Sequence, residues 1–495
     1  LTDGVGGPKA LARAGDFVLE NDRVRFAFVG ERMSFGPGKD GGGLIDADLA
    51  RQSGQWNEGQ GNDQFAELVS TANLFVPGVV SEPNAFAVGS VSILEETGEA
   101  AVVRVSAPST PFMDLVNPLV FTGGGKKPAW MVTDYILKPG EDWLTIRTTV
   151  TLAAIELDPP IEGPSLPPLT EAQSIVAQAL LGGIAIGDFL HLGGNVDVFA
   201  SDIGFHELGA VYDAQLLGQN LFLEPFAVDY VGGTANGVSY GLAAIGGKML
   251  MPLFASSQTV GIGAIVDVEE VDSSLPAETW TYERVFALGH GDMGSVLDSI
   301  LKAGKTPRNR VRGHVVEEGT GEPLSGVHVF VYREGAEAPY TEWQTDVALD
   351  DARADGSFAG FLPEGRWEIQ VHEQGRPKSP RQAVELTHGN PLDITLSAKR
   401  TGSVQFSVVD ETGMPVPSKI TVFNEDGQVV LDPVLGDGFI GGQPAAVLFS
   451  AYGSAEAHLP PGRYTAVATR GPEYELGQAQ FDLDVVSPVD VDLQV

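Results

Sequence analysis

Gly313-His314-Val315-Val316-Glu317-Glu318, then Gly321-Glu322-Pro323-Leu324-Ser325-Gly326-Val327-His328-Val329-Phe330, then Leu362-Pro363-Glu364-Gly365-Arg366-Trp367-Glu368-Ile369 is a pattern that this chain writes twice. The second copy runs Val404-Gln405-Phe406-Ser407-Val408-Val409-Asp410-Glu411, Thr412-Gly413-Met414-Pro415-Val416-Pro417, Lys419-Ile420-Thr421-Val422-Phe423 and Leu459-Pro460-Pro461-Gly462-Arg463-Tyr464-Thr465-Ala466. Pro323 and Pro415 stand 92 positions apart, and Leu362 and Leu459 97 apart. Each unit is therefore just under a hundred residues, the size of one antiparallel sandwich. Within a unit, a strand, a Gly-x-Pro turn and an alternating strand lead to Leu-Pro-x-Gly-Arg, where Pro presets φ and Gly is free to take positive φ. Trp367 or Tyr464 falls on the following strand and can cap the core. Asp355-Gly356-Ser357-Phe358 adds a further turn into a strand in the first copy.

Upstream of the repeat the same strand-and-turn grammar holds. Asp16-Phe17-Val18-Leu19-Glu20 and Val24-Arg25-Phe26-Ala27-Phe28-Val29 alternate around Asn21-Asp22, which predicts a hairpin over 16–29. Trp143 to Val150 alternates in the same way. Two places break the pattern. Pro159 to Pro168 reads as a loop, followed by a capped helix from Thr170 to about Gly182. Ser295 to Gly304 carries apolar residues at helical spacing and ends on Gly, which predicts a second short helix with a glycine stop. The basic, Pro-marked stretch Lys305 to Arg312 then marks a domain boundary near residue 306. The expected organisation is mainly β: a β-rich domain over 1–306 with two short helices, and sandwiches over 311–399 and 402–495.

The chain has 495 residues, too many for one core. It has no cysteine, which excludes disulfides and thiolate chemistry. Its 66 acidic against 30 basic side chains give a net charge of −36, which repels nucleic acid and anionic lipid. Divalent cations, cationic partners and neutral polymers remain compatible with it. No apolar run is long enough to span a membrane. The chain begins at Leu1 without a charged and apolar leader, so either a targeting segment is removed or the sequence starts late; of these, an exported protein of a bacterium (extracellular, cell-surface or periplasmic) is the expectation.

Both repeats resemble carboxypeptidase regulatory-like domains, the transthyretin-like relatives of the immunoglobulin-type sandwich. The first matches nearly throughout; the second lacks the Asp-Gly-x-Phe element. Further upstream, Gly15-Asp16-Phe17-Val18-Leu19-Glu20-Asn21-Asp22-Arg23-Val24-Arg25-Phe26, Gly43-Leu44-Ile45-Asp46-Ala47-Asp48 and Gly61-Asn62-Asp63-Gln64-Phe65-Ala66-Glu67-Leu68 resemble the opening of exported CehA/McbA-family metallohydrolases. That resemblance implies a mutarotase-like β-supersandwich ahead of the sandwiches. It also implies a PHP-type hydrolase domain after them, opening on a strand-borne His-x-His that the sequence to Val495 does not include.

No catalytic constellation is readable in the chain itself. Its histidines are His191, His206, His290, His314, His328, His372, His388 and His458, and none forms His-x-His or HExxH. The strand histidines His314 and His328 read as satisfied structural groups. A Gly-x-Ser-x-Gly elbow is absent, and Gly123-Gly124-Gly125 lacks the helix a phosphate cradle needs. His191 or His206 with Glu207 or Glu224 would suit a mutarotase only by fold analogy. Calcium is the expected cation if one binds, because Asp40, Asp46, Asp48 and Asp63 place hard oxygen ligands in Gly-rich sequence. Asp350, Asp351 and Asp355 form a lesser cluster of the same kind. Trp56, Trp130 and Tyr230, near Gly-rich loops, are candidate sugar-stacking rings.

Three roles follow. The first is a noncatalytic scaffold or docking region of a CehA/McbA-like metallohydrolase whose hydrolase domain lies outside this chain. The second is a stand-alone surface adhesion or assembly protein, binding protein partners or itself through edge strands. The third is a polysaccharide-binding module.

Overall fold

The computed structural model describes residues 5–7, 9–32, 41–50, 64–74, 90–96, 98–108, 129–152, 155–156, 184–194, 196–205, 226–235, 237–255, 259–266, 274–275, 278–347, 355–373, 376–428 and 447–495. The chain is mainly β, as its alternating runs predict, and divides into two compact units. One comprises Leu1–Ser201 with His206–Thr306; the other, Asp202–Phe205 with Pro307–Val495.

The first unit is built from two large antiparallel sheets. One runs in the order Phe17–Glu20, Val24–Phe28, Leu44–Leu49, Glu67–Leu74, Ile184–His191, Thr259–Val266, Met249–Ala255, Phe226–Val228. The other runs from Asp197–Ala200 through Val231–Ala235, Val238–Ala244, Glu278–Gly289, Trp143–Leu152, Ala129–Leu137 and Ala101–Pro108 to Ser90–Glu96. The sheets face each other across a core of aromatic rings: Phe28 lies 4.6 Å from Tyr135, and Phe65 lies 5.0 Å from Phe286. Offset and tilted rings at such distances add to the burial of their area.

The expected hairpin is present, with Phe17 opposite Phe28 and Glu20 opposite Arg25. Asn21 fixes its turn. Its Oδ1 accepts from the Arg23 and Val24 amides, and its Nδ2 donates to the carbonyls of Lys138 and Glu141 at 2.7 Å each.

The helix spans Met293–Ala303, starting two residues before the predicted position because Asp292 caps it, accepting from the Ser295 amide at 2.9 Å. It ends at Gly304, as the sequence predicts. Gly304 keeps right-handed helical angles, and Lys305 takes the left-handed turn at φ 52°. The Thr306 amide then closes onto Leu301 O at 2.9 Å. Glycines in the strands let this helix approach the sheet. A Cβ on Gly241 would stand 2.2 Å from Val296 Cγ1, and one on Gly289 would stand 2.9 Å from Val296 Cγ2. The helix expected from Thr170 to Gly182 and the loop before it lie outside the described residues.

The second unit holds two sandwiches of one design. In the first, Ser357–Leu362, Asn309–Glu317 and Leu392–Ala398 form a three-stranded sheet; Thr341–Gln344, His328–Arg333, Gly365–His372 and Gln382–Leu386 form a four-stranded one. In the second, the corresponding sheets are Ser454–Leu459, Gly402–Val409, Val489–Gln494 and Val447–Ser450, Ser418–Asn424, Gly462–Thr469, Gly477–Leu483. In both, the first strand pairs parallel with the last and antiparallel with its other neighbour. Alternate residues of Gly402–Val409 are buried, which gives each strand one core face and one outer face. Trp343 stacks on Phe358 across the first core at 5.6 Å, and Phe406 meets Phe481 across the second at 5.8 Å. The expected cap aromatics are in place: Trp367 Nε1 donates to Pro363 O, and Tyr464 Oη donates to Pro460 O.

Candidate functional site

Among the described residues of the first unit, a buried polar cluster joins the two sheets. Asp188 and Ser70 sit opposite each other on neighbouring strands of one sheet, while Arg284, Thr148, Tyr135 and Thr133 come from three strands of the other. Arg284 and Asp188 are both fully buried. The guanidinium meets the carboxylate side-on, Nε to Oδ2 at 2.6 Å and Nη2 to Oδ1 at 2.5 Å. Its remaining protons go to Ser70 Oγ at 2.8 Å, Thr148 Oγ1 at 2.8 Å and the Tyr282 carbonyl at 3.0 Å. Every N–H of the fork is therefore used. Ser70 Oγ in turn donates to Asp188 Oδ1 at 3.0 Å.

Burial alone would lower the Arg284 guanidinium, but the charge and hydrogen bonds of Asp188 outweigh it and raise the group above its ordinary value. Burial also pushes the Tyr135 and Tyr282 hydroxyls up, so both stay protonated. Both oxygens of the Asp188 carboxylate are engaged inside the core, by Arg284 and Ser70. The cluster acts as a clasp between sheets.

Carboxylates within residues 15–26 and 43–48 are also structural pins. Asp16 accepts from the Arg13 and Gly30 amides at 2.8 and 2.9 Å and from Arg32 Nε at 2.9 Å. Asp46, a candidate calcium ligand, is buried. Its Oδ1 accepts from the Leu11 amide at 2.8 Å and its Oδ2 from the Ala12 amide at 2.7 Å, so it ties down the N-terminal segment. Asp48 is buried on the same strand and accepts from the Leu49 amide at 2.7 Å. Asp355 accepts from the Ser357 amide at 3.1 Å. Asp40, Asp63, Asp350, Asp351 and Trp56 lie outside the described residues. Among the described residues, no group of three or more histidine or carboxylate side chains is placed to hold a metal ion.

Of the candidate stacking rings, Trp130 is 47% exposed at Pro108 and Thr151. Tyr230 is instead fully buried, stacked on Phe199 at 5.8 Å, so its face is taken up by the core. His328, read as a satisfied strand histidine, lies with Nδ1 2.6 Å from the buried Glu342 Oε1. His314 stands on Asn309–Glu317 opposite Ser357.

A different feature emerges at one end of the last sandwich. Met414, Phe449, Tyr452 and Leu476 are 63, 64, 86 and 67% exposed. All four belong to the end where Gly402–Val409 finishes. Met414 O accepts from the Asp410 amide, Gly453 packs against Pro415, and Leu476 precedes Gly477, which pairs with Ala468. On the outer face of the four-stranded sheet, Phe449 pairs with Lys419 and Lys419 with Thr469. In the first sandwich the matching positions are polar. Glu322 replaces Met414 as acceptor, from the Glu317 amide. Asp355 precedes the packed glycine in place of Tyr452, and Gln344 sits opposite His328 as Phe449 sits opposite Lys419. Sequence reading missed this contrast. Laying the two copies side by side by strand pairing is the signal that finds it.

Neither a family model nor a curated protein matches the chain. Solved structures do. The shaft pilin SpaA of Lactobacillus rhamnosus GG is 14% identical, with 38% of this chain covering 97% of that one at a TM-score of 0.23. The minor pilin of Streptococcus agalactiae is 13% identical, over 38% of this chain and 95% of its own, at 0.18. The Bacillus anthracis TIE protein is 11% identical over 86% of this chain and 74% of its own, also at 0.18. Among the described residues, no helix is long and apolar enough to cross a membrane.

Proposed function

We propose that this is an assembly or adhesion protein of the bacterial cell surface, which works by presenting protein-binding faces on its sandwiches. One observation carries the reading: the last sandwich repeats the fold of the first but sets Met414, Tyr452 and Phe449 where the first has Glu322, Asp355 and Gln344. Exposed side chains of this size cost solubility unless a partner covers them, and Met and aromatic residues are enriched in the cores of protein interfaces. The acidic composition keeps the rest of the surface soluble. The test is protease shaving of intact cells with identification of the released peptides. Peptides from residues 447–495 released without lysis support the reading, and recovery of the chain only from the cytosol overturns it.

A second reading is a docking region for a CehA/McbA-like metallohydrolase domain. It rests on the resemblance of residues 15–26, 43–48 and 61–68; in the first two of these stretches Asp16, Asn21 and Asp46 pin the first unit. In this reading the exposed end of the last sandwich receives the hydrolase. A transcript encoding His-x-His beyond Val495 in the same frame supports it; a stop codon directly after Val495 removes it.

A further inference from the structure

We infer that the exposed end of the last sandwich is a self-complementary interface that receives a second copy of this chain, the two related by a two-fold axis. The inference rests on the assembly reading and supplies its partner. The apolar residues Met414, Phe449, Tyr452 and Leu476 are flanked by charges of both signs. Lys419 lies in the same cross-strand row as Phe449. The loop that follows Thr469 carries Arg470, stacked over Tyr474 at 4.6 Å, and the exposed Glu473 and Glu475. Asp410 and the exposed Glu411 border Met414.

Lys419 has no ion pair among the described residues, although the chain carries 36 more acidic than basic side chains. The contrast within the molecule is direct. In the first sandwich the matching position is His328, and Glu342 on the neighbouring strand lies against it. In the second, Val447 holds the place of Glu342, so no acid comes from within the sheet.

A surface that carries exposed apolar side chains together with charges of both signs is satisfied when rotated onto a copy of itself. The apolar side chains meet, and each Lys419 faces the Glu473–Glu475 loop of the other molecule. An acidic or a basic partner would leave the charges of one sign unmatched. The opposite end of the same sandwich offers a built-in comparison, because Val486 stands exposed there in the turn between Gly477–Leu483 and Val489–Gln494.

The experiment uses the full chain in sedimentation equilibrium. The expected result is a monomer–dimer equilibrium that Phe449→Ser with Tyr452→Ser weakens at least tenfold. Lys419→Glu also weakens it, and combining Lys419→Glu with Glu475→Lys restores it. These side chains are exposed, so circular dichroism and the unfolding midpoint serve to confirm that the variants fold. Because the chain contains no cysteine, Tyr452→Cys is expected to oxidise to a covalent dimer, while Val486→Cys stays monomeric. A chain that remains monomeric to about 0.1 mM, or a dimer indifferent to these variants, overturns the inference. So does a monomeric chain that binds a different protein through this end, although that outcome leaves the assembly reading intact. Absence from the cell surface in the shaving experiment overturns the reading itself.

Discussion

Gly356 and Gly453 hold the same place in successive sandwiches. A Cβ on Gly356 would lie 2.5 Å from Val315 O and 2.9 Å from the Leu324 amide; one on Gly453 would lie 2.6 Å from Val408 O and 2.9 Å from the Val416 amide. Both adopt positive φ, 69° and 78°. Each sandwich thus brings the turn before an edge strand directly onto the backbone of its first strand, and no side chain fits between.

Alanine at either position meets two penalties together, a left-handed backbone and a clash with main-chain atoms. The expected loss is about 2–4 kcal/mol in the affected sandwich. Gly319→Ala is the control, because Gly319 has φ 87° and open space around it; about 1–2 kcal/mol is expected there. Denaturant unfolding of each variant reads the difference, and equal losses at Gly319 and Gly356 would discount the packing role.

The repeat made the sandwiches legible because its turn chemistry is local: Gly-x-Pro, Leu-Pro-x-Gly-Arg and the cap aromatics each act within a few residues. The second copy shows where that reading stops. It lacks Asp-Gly-x-Phe, yet Tyr452-Gly453-Ser454-Ala455 does the same geometric work, since the backbone approach demands only the glycine. The Arg284–Asp188 clasp was illegible because its partners are separated by 96 positions, and nothing local distinguishes a buried Arg from a solvated one. Asp46 stands among hard oxygen ligands in Gly-rich sequence, and only the fold brings main-chain amides from 34 and 35 positions away onto its carboxylate.

The clasp gives a second prediction. Asp188→Ala leaves a guanidinium buried and uncompensated, and breaking a buried pair in this way costs about 3–5 kcal/mol. Replacing both partners, Asp188→Leu with Arg284→Met, removes the stranded charge and recovers most of the loss. The unfolding midpoint of the first unit is the measurement, and a double variant as unstable as Asp188→Ala would mean that the clasp contributes more than charge neutralisation.

Glu317 gives a pH dependence. Burial alone would raise its carboxyl. Hydrogen bonds from Arg376 and Thr320, with the charges of Arg376 and Arg400, outweigh burial and hold it below its usual 4.5. A depressed folded value means the stabilisation is fully present above about 4.5 and is lost as pH falls through the lower folded value. Acid is therefore expected to loosen the end of the first sandwich where Arg376 Nη1 and Arg400 Nε meet Glu317 at 3.0 and 3.1 Å. Glu317→Gln should lower stability at neutral pH and flatten the acid limb of the midpoint-against-pH curve. An acid limb unchanged by that substitution would assign the loosening to other carboxylates, of which Asp16, held low by Arg32 and two amides against the opposing effect of burial, is the next to test.

Asp46 decides between a pin and a cation ligand. Its oxygens already accept from the amides of Leu11 and Ala12, and a calcium ion that displaced those donors would leave two amides unpaired, at about 1–3 kcal/mol each. Asp46→Ala is accordingly expected to speed hydrogen exchange at Leu11 and Ala12 by at least tenfold, because the segment loses the group that orders it. Millimolar calcium is expected to leave exchange at those amides unchanged in the unsubstituted protein. Faster exchange on adding calcium would show the ion taking the carboxylate from the amides. Slower exchange would show it reinforcing the pin from outside.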